Sequence, residues 1–220
     1  MIRDIQLKVC GLRRPADAAR AAALGADYLG FILYEKSPRH LSFADYRVRA
    51  TEWPAGPRRV AVMVEPSLEM LREARAAGFD RFQIHARHDL PLETVRSWSA
   101  EVGADALWLA PKLPPGTPFP EGWLACANTF LVDTYHASGF GGSGRTGDWS
   151  GYARLRAAHP DKTWVLAGGL APENIADALA QSGARFVDVN SGVETAPGEK
   201  SADKLAAFGA ALAASAAAGQ

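Results

Sequence analysis

Three times in this chain a helix-forming stretch closes on a glycine and runs directly into an apolar, β-rich segment. Leu24-Gly25-Ala26-Asp27 precedes YLGFIL, Ala77-Gly78-Phe79-Asp80 precedes RFQIH, and Ser182-Gly183-Ala184-Arg185 precedes FVDVN. Pro15, Pro66 and Pro172 stand near the starts of the same three helical stretches. Proline at the entry and glycine at the exit is ordinary helix punctuation. The repeated unit is therefore helix, glycine cap, strand, and any fold proposed for the chain must accommodate it.

Eight runs qualify as strands: 5–10, 28–33, 59–64, 81–85, 106–110, 129–133, 163–168 and 186–190. They are mostly continuous rather than alternating, as expected of strands buried on both faces of a parallel sheet. Eight βα units in 220 residues leave roughly 27 residues each, compact but within the range of a (β/α)8 barrel. The expectation is an α/β chain forming a single TIM barrel over residues 1–220, with a doubly wound open sheet as the alternative. Between Ala110 and Thr129 stand Pro111, Pro114, Pro115, Pro118 and Pro120, which leave little room for a regular helix. A shortened or missing fifth helix is expected there, and a frayed tail after about Ala213.

Charge excludes one class of partner. The 24 basic and 24 acidic side chains cancel, so no global field draws in a polyanion, and nucleic acid is not an expected partner. Since 18 of the 24 basic residues are Arg, an isolated Arg spacing carries little weight. Cys10 and Cys126 form no disulfide framework, and no spaced Cys/His set suggests a zinc site, so no metal is expected. The N-terminus lacks the apolar stretch of a signal peptide, and the Ala-rich tail after Phe208 is too short and too weakly hydrophobic to span a bilayer. A cytoplasmic protein with no membrane association is expected.

A barrel places its chemistry at the C-terminal ends of the strands and in the loops that follow. Lys8 and Cys10, the loop from Glu35 to His40, His85, Asp133, Gly168 with Gly169, and Asp188 to Gly192 occupy those places. Gly168, Gly169, Ser191 and Gly192 either form tight turns or open backbone N–H groups to a phosphate, as the last two loops of barrels commonly do. Cys10 is either a small buried hydrophobe or a reactive thiol whose thiolate is favoured by Lys8 two residues earlier. Asp133, after an apolar run, is either a turn residue or a desolvated carboxyl able to hold a proton near neutral pH. Gly142, Gly144 and Gly147 match GxGxxG, but eight residues separate Gly142 from the strand and no acidic residue ends the next one, so a dinucleotide site is not supported.

Taken in order, Lys8-Val9-Cys10-Gly11-Leu12, Ser37-Pro38-Arg39, Gln83-Ile84-His85, Val132-Asp133, Gly141-Gly142-Ser143-Gly144 before Asp148-Trp149, Ala167-Gly168-Gly169-Leu170 and Ser191-Gly192-Val193-Glu194 resemble the phosphoribosylanthranilate isomerase family over essentially the whole chain. The resemblance implies a cofactor-free isomerase of tryptophan biosynthesis. It would convert N-(5'-phosphoribosyl)anthranilate into 1-(2-carboxyphenylamino)-1-deoxy-D-ribulose 5-phosphate by an Amadori rearrangement. It further implies Asp133 as general acid, Cys10 as general base and Arg39 as holder of the anthranilate carboxylate. Lys8, His85, Gly141, Gly142, Gly168, Gly169, Asp188, Ser191 and Gly192 would complete the substrate site, although His85 and Asp188 are equally readable as satisfied core residues.

The chain departs from the family's usual pattern at Ala86, Gly147, Asn190 and Ser201. Ala86 and Asn190 are expected to bear on the substrate pocket and Gly147 on the glycine-rich loop. Competing functions are another sugar-phosphate isomerase or epimerase on the same barrel, or an inactive phosphate-binding barrel. A small phosphorylated substrate is the expected partner, and a monomer is expected rather than a homodimer.

Overall fold

The computed structural model describes residues 2, 4–133 and 148–218. In chain order the elements are β1 (Gln6–Val9), α1 (Pro15–Leu24), β2 (Tyr28–Ile32), α2 (Phe43–Val48), β3 (Arg58–Val64), α3 (Leu68–Ala76), β4 (Arg81–Arg87), α4 (Leu92–Val102), β5 (Leu107–Lys112) and β6 (Thr129–Val132). They continue with α5 (Trp149–Ala158), β7 (Thr163–Leu166), α6 (Ile175–Ser182), β8 (Phe186–Val189), a small hairpin of β9 (Glu194–Ala196) and β10 (Glu199–Lys200), and α7 (Ala202–Ala218). Strands β1 to β8 are hydrogen-bonded in sequence order and close into a parallel barrel, β8 pairing back onto β1. The open-sheet alternative is thereby excluded.

Local sequence explains the punctuation. Gly25, Gly78 and Gly183, the three glycines of the repeated phrase, all have positive φ (97°, 86° and 64°), a backbone region that glycine enters without steric cost. Ser67 and Ser42 cap α3 and α2 by accepting from Met70 N and Asp45 N. Where the fifth helix would stand, the proline-rich connection holds only a 3-10 turn at Glu121–Ala125. Two boundaries differ from expectation. Residues 172–174 form a turn, and α6 opens only at Ile175. The second is at the tail, where α7 continues past Ala213 to Ala218, since alanine is the best helix former even where it adds little hydrophobicity.

Alternation along the strands separates two cores. Leu7, Val9, Phe31, Met63, Ile84 and Leu109 face outward into the layer between barrel and helices. Tyr28, Val60, Trp108, Leu131, Val165 and Phe186 fill the barrel interior. Tyr28, Trp108 and Phe186 form a mutual aromatic cluster, with ring centroids 4.9 to 5.4 Å apart. Above that plug the inward positions stop being apolar: Lys8, Gln83 and Asp188 are buried inside the barrel, and the polar column leads to the C-terminal rim.

Candidate active site

The column begins with neighbouring strands. Lys8 on β1 and Asp188 on β8 are register partners, so their side chains share the inner face, and Lys8 Nζ donates to Asp188 Oδ2 at 2.7 Å. The Lys8 side chain has no exposure. Burial works against its charge, but the Asp188 carboxylate and Cys10 outweigh that, holding the amine protonated above its ordinary range. One inward position further, just past the end of β1, comes Cys10, within electrostatic reach of Lys8. Burial pushes the Cys10 thiol up and the Asp188 charge adds to this, while Lys8 pulls it partly back. The thiolate is thus a minority form at neutral pH, and Lys8 limits how small that minority is.

Gly30 on β2 makes room for this arrangement. A Cβ there would lie 3.0 Å from Cys10 Sγ and equally close to Cε and Nζ of Lys8. On β4, Gln83 Nε2 lies 2.8 Å from His85 Nε2. Burial and then the Lys8 charge push His85 down to about 4, so its imidazole is neutral at pH 7. Asp188 Oδ1 and Gln83 Oε1 are buried with no hydrogen-bond partner among the described residues.

A cavity opens above these groups, lined by Cys10 and Asp133 with Ser37, Gln83, His85, Gly168, Gly169, Asp188, Asn190 and Ser191. Eight of the residues expected at the site besides the proposed acid and base pair are described: Gly168, Gly169, Ser191, His85 and Asp188 meet at the lining, Lys8 lies buried behind them, and Gly192 and Arg39 stand outside the lining. Gly168 and Gly169 both have positive φ (87° and 65°). Asn174 holds their loop: its Oδ1 accepts from Ala171 N at 2.9 Å and its Nδ2 donates to Gly169 O at 2.8 Å. Gly192 sits behind the lining, where a Cβ would collide with Leu170 O. Gly141, Gly142 and Gly147, with the rest of the glycine-rich loop, lie outside the described residues.

Arg39 is anchored by a carboxylate of the chain itself. Its Nε donates to both Glu194 carboxylate oxygens at 3.0 Å and its Nη2 to Oε2 at 2.7 Å. Lys200 Nζ completes the cluster, donating to Glu194 Oε1 and Asn190 Oδ1, both at 2.8 Å. Burial opposes the Glu194 charge, but Arg39 and Lys200 hold its carboxyl below the usual range. This buried clamp joins the loops after β2 and β8. Glu194, Lys200, Asn174 and Gln83 were not assigned roles by the sequence reading. For Gln83 the signal was present, since it shares inward parity with His85.

Two departures from the family pattern lose their force here. Ala86 is fully buried in the outer layer, one residue out of phase with His85, so it faces away from the cavity and not into it as first expected. Ser201 accepts from Lys204 N at 3.2 Å and caps α7, work that Ser and Asp side chains do equally well. Asn190, by contrast, lines the cavity.

A closed parallel barrel with a polar cleft at the C-terminal ends of its strands defines the chain as a (β/α)8-barrel enzyme. The description of N-(5'-phosphoribosyl)anthranilate (PRA) isomerase matches residues 7–211. The chain is 36% identical over 214 residues to the N-(5'-phosphoribosyl)anthranilate isomerase of Synechococcus elongatus, covering 95% of this chain and 96% of that protein. The crystal structure of phosphoribosyl anthranilate isomerase from Thermus thermophilus superposes with a TM-score of 0.78 at 32% identity, over 96% of this chain and 99% of that one. A phosphoribosyl anthranilate isomerase in complex with reduced 1-(o-carboxyphenylamino)-1-deoxyribulose 5-phosphate gives a TM-score of 0.71 at 29% identity, over 93% and 96%. The chain belongs to the phosphoribosylanthranilate isomerase family.

Proposed function

We propose that this protein isomerises N-(5'-phosphoribosyl)anthranilate to 1-(2-carboxyphenylamino)-1-deoxy-D-ribulose 5-phosphate, a step of tryptophan biosynthesis, with Asp133 as general acid and Cys10 as general base. The observation that carries the proposal is that Cys10, just after β1, and Asp133, just after β6, line one cavity with the glycine loop after β7. Asp133 donates a proton to the ribose ring oxygen as the bond from that oxygen to C1' breaks, and the anilino nitrogen supplies the electrons of the Schiff base. The Cys10 thiolate then removes the C2' proton, and the C–H electrons form the C1'=C2' bond of an enolamine, which tautomerises to the ketone. Acid and base need opposite proton states at one pH, which different environments of thiol and carboxyl can provide.

Gly168, Gly169, Ser191 and Gly192 are assigned to the substrate phosphate, and Gly141 and Gly142 to the substrate more generally. Positive-φ glycines let backbone N–H groups approach an anion. His85, neutral and in the lining, is assigned a hydrogen bond to the sugar. Lys8 and Asp188 act from below: Lys8 supports the Cys10 thiolate, and Asp188 turns its second oxygen to the substrate. Arg39 still has Nη1 beyond its bonds to Glu194, and the anthranilate carboxylate is assigned to that edge. Free Cys10 and Cys126 suit a reducing cytoplasm.

The test is the loss of anthranilate-type fluorescence when the purified protein meets freshly prepared phosphoribosylanthranilate. Cys10→Ser and Asp133→Asn should each lower kcat at least about 100-fold while changing substrate binding far less. An unchanged kcat in either variant removes that residue from its role, and no turnover by the unsubstituted protein removes the proposed activity.

A further inference from the structure

Asn190 is the departure from the family pattern that reaches the cavity, and its side-chain orientation is fixed by chemistry. Lys200 Nζ lies 2.8 Å from Asn190 Oδ1 and 3.1 Å from the Asn190 backbone carbonyl. An ammonium can only donate, so the atom facing Lys200 must be the amide oxygen and the flip of the amide is settled. The oxygen also faces Gly11, where a Cβ would come within 2.5 Å of Asn190 Oδ1 and 3.2 Å of Cγ. With Oδ1 turned toward Gly11 and Lys200, Nδ2 takes the other branch of the planar amide, and it has no acceptor among the described residues.

Lys200 is itself immobilised. Its Nζ also donates to Glu194 Oε1 at 2.8 Å, its backbone N donates to the buried Asp17 carboxylate at 3.1 Å, and its side chain has no exposure. Glu194 is held in turn by Arg39. A rigid chain of polar groups thus ends in one amide whose donor is uncommitted, on a residue that lines the same cavity as Cys10 and Ser191.

We propose that Asn190 is a specificity-determining residue of this chain, donating from Nδ2 to an oxygen of the sugar-phosphate part of the substrate. A shorter side chain such as serine would end at its Oγ, short of the amide nitrogen's reach. The proposal rests on the substrate class assigned above. Its acceptor is either a phosphate oxygen or a sugar hydroxyl, which a probe with and without the phosphate distinguishes.

The experiment is calorimetric titration of the full chain with reduced 1-(o-carboxyphenylamino)-1-deoxyribulose 5-phosphate and with its dephosphorylated form. It uses the unsubstituted protein, Asn190→Ala and Asn190→Asp, with Tm measured for each. Asn190→Asp keeps an oxygen on Lys200 and removes the donor while adding a negative charge, so Asn190→Ala carries the measurement of the lost donor and Asn190→Asp tests whether the effect comes through Lys200. Both variants should bind the phosphorylated probe about tenfold or more weakly, the size of one lost hydrogen bond, and Asn190→Asp should keep its Tm. If the acceptor is the phosphate, Asn190→Ala and the unsubstituted protein bind the dephosphorylated probe equally; if it is a hydroxyl, the tenfold difference persists. Unchanged affinity of Asn190→Ala for the phosphorylated probe overturns the proposal, as does a loss in Asn190→Ala that Asn190→Asp restores, which would assign the effect to Lys200. Failure of the unsubstituted protein to bind either probe would instead overturn the substrate class, and this proposal with it.

Discussion

The ammonium of Lys8 and the carboxylate of Asp188 meet at 2.7 Å inside the barrel, on adjacent strands and in register, 180 residues apart in sequence. The pair closes the ring of strands chemically as well as by backbone pairing, because β1 and β8 are the strands that complete the barrel. It also sets the charge beneath Cys10: an ammonium that Asp188 keeps protonated lies against a thiol that burial would otherwise leave unionised.

Replacing one partner should therefore cost more than replacing both. Lys8→Met leaves the Asp188 carboxylate buried without its cation, a loss on the order of 3 kcal/mol, whereas Lys8→Met combined with Asp188→Asn should recover at least half of it. Without Lys8 the Asp188 carboxyl can relieve the cost by taking a proton, so the single variant should be least impaired at low pH and lose stability as pH rises. Urea unfolding of the four proteins of this cycle at pH 5 and pH 8 checks both statements. Additive losses would mean that the pair contributes nothing as a pair.

Gly30→Ala should damage activity more than stability. The added methyl group would stand 3.0 Å from both Cys10 Sγ and Lys8 Nζ, so the thiol and the ammonium must shift by a few tenths of an ångström. Overpacking of this kind typically costs about 1 to 3 kcal/mol, but a misplaced base loses rate far more steeply. The expected result is a kcat at least tenfold lower with KM little changed, measured by steady-state kinetics at a temperature where the variant is folded.

The strands were legible because each is a continuous apolar run bounded by turn residues, and Gly25, Gly78 and Gly183 marked where helices hand over to them. The five prolines between Ala110 and Thr129 told truly of a missing helix. What escaped notice depends on distance in sequence. Arg39 and Glu194 are 155 residues apart, and no spacing rule links a residue after the second strand to one after the eighth. The β9–β10 hairpin around Pro197-Gly198 is too short and polar to show strand periodicity. Asp188 lines the cavity and Lys8 is buried behind it, a placement that follows from inward parity that the continuous hydrophobic pattern hides.

His85 should leave a signature in the pH dependence of stability. Its folded pKa of about 4 lies below the ordinary value of 6.5, so between those values the unfolded chain binds the proton and the folded one does not. Stability from the neutral imidazole is complete above pH 6.5 and is lost as pH falls toward 4. The shift corresponds to about 3 kcal/mol. His85→Gln, which cannot take up a proton, should flatten the unfolding free energy across that interval, while the further loss below about pH 4.5, expected as Glu194 is protonated away from Arg39 and Lys200, should remain. Denaturant titrations at half-unit pH steps would show it, and parallel curves for the two proteins would mean that His85 is not held neutral.

Asn174 tests whether the glycine loop needs outside support to hold an anion. Its side chain makes two hydrogen bonds within the loop after β7, one from Ala171 N and one to Gly169 O, and both are lost in Asn174→Ala. The stability cost should be about 1 to 2 kcal/mol. The larger effect should fall on substrate binding, because Gly168 and Gly169 have no side chains of their own to fix their amides. KM should rise about tenfold with kcat changed less, and inorganic phosphate should inhibit the variant correspondingly less well. Asn174→Asp retains the acceptor for Ala171 N but replaces the donor to Gly169 O with a negative charge beside the phosphate loop, so its KM should rise further still. If both variants inhibit and turn over like the unsubstituted protein, the loop geometry is set by the two positive-φ glycines and the packing of Leu170 alone.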